Sequence, residues 1–229
     1  MKVAIMQPYF FPYLGYFQLI AAVDVFVIYD DVNYIKGGWI NRNKILANGQ
    51  AQRVTLSLDK SSPNLRIDQI FVADNGEKLL KTILQNYSKA PYFKTVYPMI
   101  EEIVTCKERN LGDYLTHQLK LVCAAMGIQT KLVRSSELRK DNSLRGQDKV
   151  LAICKELHAT HYINSIGGQE LYHRAAFLEN AIKLSFLQTR SASYCQFGKP
   201  FVSGLSIIDL MMFTDLTQRS RLLFEYDLV

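Results

Sequence analysis

The sequence predicts an α/β fold: a mostly parallel, Rossmann-like sheet flanked by helices, with a helical middle segment and a small antiparallel piece. Three observations carry this. Residues 2–29 read as strand, loop, apolar helix and strand; residues 129–164 read as a second strand–helix–strand unit; and residues 76–127 keep helical periodicity. Such units need a crossover, and crossovers of this kind make parallel strand pairs with helices packed on the sheet. With 229 residues, 48% hydrophobic and 21% charged, the composition is that of an ordinary globular chain. A chain of this length can bury roughly 70% of its unfolded surface without disulfides or metals. One domain over residues 1–229 is expected, with residues 76–127 as a helical subdomain.

Lys2 to Met6 (KVAIM) is a short apolar strand, stopped at Gln7-Pro8 because Pro8 cannot donate to a ladder and pushes Gln7 out of the α region. Leu14 to Ala22 is rich in helix-compatible apolar residues, and Asp24 to Tyr29 (DVFVIY) is a β-branched strand ending in Asp30-Asp31. If the two strands are parallel neighbours, the loops Gln7 to Tyr13 and Asp30 to Tyr34 open on one carboxyl edge, where open α/β sheets bind ligands. Ala51 to Leu58 alternates like a half-buried strand and forms an antiparallel piece with Ile67 to Val72 across the turn-like KSSPN. Leu79, Leu80, Ile83, Leu84 and Tyr87 recur at helix spacing, Pro91 restarts a helix, and Leu111 to Met126 forms a third. Gln129 to Val133 is strand-like, Asp148 to Leu157 helical, and His161 to Asn164 the next strand. A helix from Tyr172 to Ala181, an extended stretch near Leu184 to Gln188 and a last helix around Ile207 to Phe213 complete the chain.

Lys and Arg number 27 against 21 Asp and Glu, and the pI near 9.0 favours an anionic partner. The basic residues are scattered, with no run of five or six like charges, so nucleic acid is not the expected partner. Cys106, Cys123, Cys154 and Cys195 form no C-x-x-C pair and read as free thiols of a reducing compartment. Lys2 and the apolar residues after it imitate a signal peptide, but Gln7, Pro8 and Pro12 interrupt them. A cytoplasmic chain without a membrane span is expected.

The densest polar and aromatic segment is DDVNYIKGGWINRNK, residues 30–44. Polar groups so concentrated need partners, and ligands often supply them in loops held by a rigid scaffold. Lys36, Arg42 and Lys44 can hold a diphosphate, Arg42 with two parallel hydrogen bonds. Trp39 and Tyr34 can stack on a base or sugar ring. An Asp30-Asp31 pair at a strand end can coordinate Mg²⁺, but capping the next turn or pairing with Arg42 explains it equally. No metal ligand and no cofactor is therefore assigned. Gln7, Tyr9 and Tyr13 of the first loop can orient a ligand, though none is a strong base at neutral pH. Gly167-Gly168 after a strand lets the backbone approach an anion and brings Tyr172 or His173 to the crevice, His173 as an acid–base candidate. Gln196, beside Cys195 in SYCQFG, completes the substrate-binding set. Walker A, G-x-G-x-x-G, G-x-S-x-G and H-x-G-H fingerprints are missing.

MKVAIMQPYFFPYLGYFQLI, DVFVIYDDVNYIKGGWINRNKI, HYINSIGGQELYHRAAF and YCQFGKPFVSGLSIIDLM together resemble the WbqC-like family over nearly the whole chain. One departure is Met6, where many relatives carry His immediately before Gln-Pro. The resemblance implies a bacterial cytoplasmic protein of surface polysaccharide (O-antigen) assembly. It further implies a transferase acting on a nucleotide-activated amino sugar by acyl or aminoacyl transfer to the sugar amine. Its partners would be the nucleotide-linked sugar, an unidentified acyl or aminoacyl donor, and in a homo-oligomer a second copy. On that reading Asp30 or Asp31 takes the amine proton, Asn41 or Asn43 steadies the oxyanion, and Arg42 with Lys36 anchors the diphosphate. Two rival expectations use the same loops: a nucleotide-sugar binding or scaffold protein without turnover, and a nucleotidylyltransferase.

Overall fold

A computed structural model of the chain describes residues 1–74, 76–190, 192–198 and 200–229. Strand β1 (Lys2–Met6), helix α1 (Leu14–Ala21) and strand β2 (Val25–Ile28) form the first crossover unit. A long excursion follows before β7 (Lys131–Arg134), then helix α5 (Gly146–Glu156), β8 (His161–Ser165), helix α6 (Arg174–Glu179) and β9 (Lys183–Thr189). With β10 (Tyr226–Leu228) these make one six-stranded sheet in the order β10-β9-β8-β1-β2-β7. All neighbours run parallel except β10, which returns antiparallel on β9. Counted by their succession within the sheet the strands run 3-2-1-4-5-6, so the expected mostly parallel, Rossmann-like sheet is present.

Period-two alternation sorts the strand residues onto two buried faces. Val3, Ile5, Val25, Val27, Tyr162, Leu184 and Phe186 pack with Val150, Ile153, Cys154 and Phe177 of α5 and α6. Ala4, Phe26, Ile28, Ile163 and Leu187 face the larger core of α1 and the helical middle. Burial on both faces is why β1 and β2 read as continuous apolar runs rather than clean alternations. The middle segment is helical as expected: α2 (Gly76–Tyr87), α3 (Phe93–Val104) and α4 (Leu111–Ala125).

Two expectations are corrected here. The antiparallel piece is divided in two: β3 (Arg42–Ala47) pairs with β4 (Gln50–Thr55), whereas the tiny β5 (Leu58–Asp59) pairs with β6 (Phe71–Val72). The reason is Asn48-Gly49, whose φ of 50° and 73° close a two-residue hairpin and make Arg42 to Lys44 strand rather than loop. Ile67 to Gln69 is a 3-10 turn, not strand. Nor does the chain end its helices at α7 (Ile207–Phe213), because Asp215 caps a further helix, α8 (Leu216–Leu222), ahead of β10. No helix of the described residues is long and apolar enough to cross a membrane, and the four cysteines are unpaired.

Candidate functional site

The strand order reverses between β1 and β8: β2 and β7 extend from one side of this pair, β9 and β10 from the other. Loops leaving the carboxyl ends of two such strands diverge and open a crevice. The loop after β1, the Asp30-Asp31 segment after β2, the Ser135-Ser136 turn after β7 and the Gly167-Gly168 turn after β8 all leave at this edge.

The first loop is held rigid by hydrogen bonds to its backbone. Gln118 of α4 accepts from Phe11 N (3.0 Å) and donates to the Tyr9 carbonyl (3.0 Å). Asn43 Nδ2 donates to the carbonyls of Phe10 (3.1 Å) and Phe11 (2.7 Å), and Ser206 Oγ to that of Phe11 (2.8 Å). Tyr16 Oη closes the start of the loop on the Gln7 carbonyl (2.9 Å). These bonds keep Phe11 at a φ of 41°, a left-handed conformation that costs a bulky L-residue roughly 1–2 kcal/mol. Gln7 and Tyr9 are half-buried and Tyr13 is exposed; burial is the main cause that pushes both hydroxyls above the ordinary tyrosine range.

Asp30 and Asp31 sit in a buried network of charge. Asp30 has no exposed surface; Oδ2 pairs with Arg134 Nε at 2.6 Å and accepts from Ser136 Oγ (2.7 Å), while Oδ1 accepts from Ser136 N (3.0 Å). Arg134 also contacts Asp113. Asp31 Oδ2 lies 2.9 Å from Lys140 Nζ and 3.0 Å from Lys149 Nζ, and Lys149 additionally donates to the Asp31 carbonyl at 2.9 Å. Burial opposes ionisation of Asp31, yet the two ammonium groups and the Ser135 hydroxyl outweigh it and hold the carboxyl below its usual range. Three acids and three bases neutralise one another, so neither aspartate stands as a free base. Among the described residues no group of three His, Cys, Asp or Glu is arranged to hold a metal ion.

The segment that follows divides into inward and outward residues. Tyr34 is buried and donates to Asn41 Oδ1 (2.9 Å), while Asn41 Nδ2 donates to the Leu56 carbonyl (2.9 Å). Asn43 is 4% exposed and already bonded to the first loop. Trp39 is 44% exposed, with Lys44 Nζ 5.7 Å from its ring centroid, and its carbonyl accepts from Phe10 N at 3.1 Å. Arg42 is half-buried, its Nε donating to the Gly38 carbonyl (2.8 Å); Lys36 is exposed. The segment therefore does meet the first loop, and it turns Trp39, Arg42, Lys44 and Lys36 outward beside it.

After β8, the Gly-Gly pair sits in a 3-10 turn, Ile166–Leu171. Gly168 is buried so closely that an added Cβ would stand 2.9 Å from Asn164 Nδ2, whereas one at Gly167 would meet nothing within 4 Å. Tyr172 shares a 3.1 Å hydrogen bond with Tyr162. Tyr29, with its hydroxyl pushed up by burial first and then by Asp31 and Tyr172, links this turn to the acidic pair, and Lys149 Nζ lies 5.3 Å from its ring centroid. His173 is exposed, its backbone N donating to Gln147 Oε1 at 2.6 Å.

Gln196 joins neither group. Its Nε2 donates to Asp209 Oδ2 (2.7 Å) and the Val202 carbonyl (3.1 Å), beside the hydroxyls of Tyr87 (2.8 Å) and Tyr194 (2.7 Å), which also donate to Asp209. Sequence reasoning overlooked Arg134, Lys140, Lys149 and Gln118, which are single residues on distant elements. The one available signal was register: β7 parallel to β2 sets Arg134 opposite Ile28, two residues before the acidic pair.

Compared with known proteins, the chain is similar to an uncharacterized protein, Rv1507c, of Mycobacterium tuberculosis (strain ATCC 25618 / H37Rv), at 29% identity over 216 residues, 92% of this chain and 92% of that one. No solved structure matches it. Residues 7–220, which take in the first loop, the acidic pair, the Gly-Gly turn and the Asp209 network, match the profile of the WbqC-like protein family, and the chain belongs to that family.

Proposed function

We propose that the chain is a transferase that modifies a nucleotide-activated amino sugar by acyl or aminoacyl transfer to the sugar amine, in bacterial surface polysaccharide (O-antigen) assembly. The observation that carries this reading is the reversal of strand order at β1 and β8, the place where open α/β sheets bind ligands, with the loop bearing Gln7 and Tyr9 and the turn bearing Gly167, Gly168 and Tyr172 leaving the same edge. The open space before Gly167 leaves room for a phosphate to approach backbone N–H groups. Lys36 and Arg42 supply outward-facing cations and Trp39 a stacking face beside the first loop. Asn41 and Asn43 are bonded to backbone carbonyls, so their role is to hold the loops. Asp30 and Asp31 are spent on ion pairs that tie the loops of this edge together, and His173, exposed at the end of the Gly-Gly turn, is the proton acceptor for the attacking amine. As the amide bond forms, the bond from the acyl carbon to the donor's leaving group breaks.

A second reading, a nucleotide-sugar binding protein without turnover, is favoured by the ion-pairing of both aspartates. Incubation with a nucleotide-linked amino sugar and acyl-coenzyme A or aminoacyl donors, followed by mass spectrometry, separates the two. A mass gain on the sugar, lost in His173→Ala, supports transfer. Saturable binding with no mass gain supports the second reading, and absence of binding removes both. Mg²⁺-dependent release of pyrophosphate would instead mark a nucleotidylyltransferase.

A further inference from the structure

A cavity of about 530 Å³ lies between α3, the end of α4, α7 and α8, away from the sheet edge. Small-molecule sites have volumes of roughly 300–1,000 Å³. Val96, Met99, Met211 and Leu216 give it apolar walls, and Tyr92, Asp215 and Arg219 also line it. Arg219 is 4% exposed. Its Nη2 donates to the Met211 (2.6 Å) and Thr214 (2.7 Å) carbonyls at the end of α7, and its guanidinium lies 5.7 Å from the Tyr92 ring centroid. These contacts occupy one nitrogen. Nε is buried without an acceptor, and among the described residues no carboxylate forms an ion pair with this guanidinium. Asp215, the acid nearest in influence, spends Oδ1 on Gln218 N (2.7 Å) as the cap of α8.

A buried cation with an unfilled donor is costly, and the carbonyls ending α7 offset only part of that cost. We propose that this cavity binds a small amphiphile, a carboxylate on a medium-length apolar chain, whose head accepts from Arg219 and whose chain lies against Val96, Met99 and Met211. A carboxylate fits better than a phosphate monoester because Asp215 repels a dianion more strongly. An alcohol of the same length gains no charge-assisted bond.

Calorimetric titration of the full chain with decanoate, decan-1-ol and decyl phosphate, each below its micellar concentration, tests the proposal. Decanoate is expected to saturate one site about tenfold more tightly than decan-1-ol, the affinity gain expected when a neutral hydrogen bond is replaced by a charge-assisted one about twice as strong. Thr95 lines the cavity and is exposed, so Thr95→Trp fills it without disturbing the core and is expected to abolish binding. Arg219→Gln is expected to make decanoate bind no better than the alcohol. The proposal is overturned if no ligand saturates, if the alcohol or the phosphate binds as tightly as decanoate, or if Thr95→Trp leaves decanoate binding intact. Should Arg219→Gln fail to fold, the head-group series and Thr95→Trp decide.

Discussion

Arg134 Nε stands 2.6 Å from Asp30 Oδ2 and so ties the end of β7 to the segment after β2. Removing one partner of a buried ion pair costs about 3–5 kcal/mol because the other charge is left without compensation. Here Ser136 still donates twice to Asp30, and Arg134 is 16% exposed, so water can replace part of it. Arg134→Met is therefore expected to lower unfolding free energy by about 2–3 kcal/mol, read from urea denaturation. A loss below about 1 kcal/mol would show that the pair does not hold the edge together.

The first loop should depend on Gln118 in the same way. Gln118→Leu strands a buried N–H at Phe11 and a carbonyl at Tyr9, each costing about 1–3 kcal/mol when unpaired. Some of that cost is relieved by letting Phe11 leave its left-handed conformation. The expected result is a destabilisation of about 2 kcal/mol together with faster hydrogen exchange at the Phe11 amide. Unchanged exchange at that amide would mean that Asn43 and Ser206 alone hold the loop.

What the sequence discloses and what it hides follow from the range of the interactions. β1, β2, β8 and the helices of the middle segment are legible because each carries its own periodicity and its own stop, such as Gln7-Pro8. The hairpin of β3 and β4 was also within reach, since Asn48-Gly49 between two strand-length runs is a strong turn signal; the polar look of residues 30–44 masked it. Asp30 and Asp31 are visible as a pair, but their charges are settled by Arg134, Lys140 and Lys149, more than a hundred residues away. Gln118 reads as an ordinary polar position in α4, and nothing local says that it faces the loop after β1.

Asp209 gives a pH signature of its own. Burial, the largest cause, raises its carboxyl above the usual range in spite of the donors Tyr194, Gln196 and Tyr87. A carboxyl raised in the fold binds protons more readily in the native than in the unfolded chain, so its contribution to stability falls as pH rises through the folded value. Between the ordinary carboxylate range of about 4 and that raised value, the unfolding temperature is expected to climb as pH drops, before Asp31 reverses the trend at lower pH. Thermal melts of the wild type against Asp209→Asn should differ most in this window. Parallel pH profiles for the two proteins would remove Asp209 as the cause.

The carboxyl edge of the sheet can be probed without damaging the fold because Gly167 fronts open space. Gly167→Leu places a side chain where a phosphate would approach the backbone N–H groups, yet its Cβ meets nothing in the protein, so its unfolding free energy should stay within about 0.5 kcal/mol of wild type. Trp39, 44% exposed, can likewise be cut back at little cost in stability. If a nucleotide sugar lies across the edge from the Gly-Gly turn to the outward face beside the first loop, Gly167→Leu should weaken its binding by about tenfold or more. Trp39→Ala should lose the stacking term of roughly 1–3 kcal/mol. A loss at Trp39 without one at Gly167 would move the nucleotide onto the hairpin face, and the reverse would confine it to the strand reversal. Neither variant altering affinity would place the ligand somewhere other than this edge.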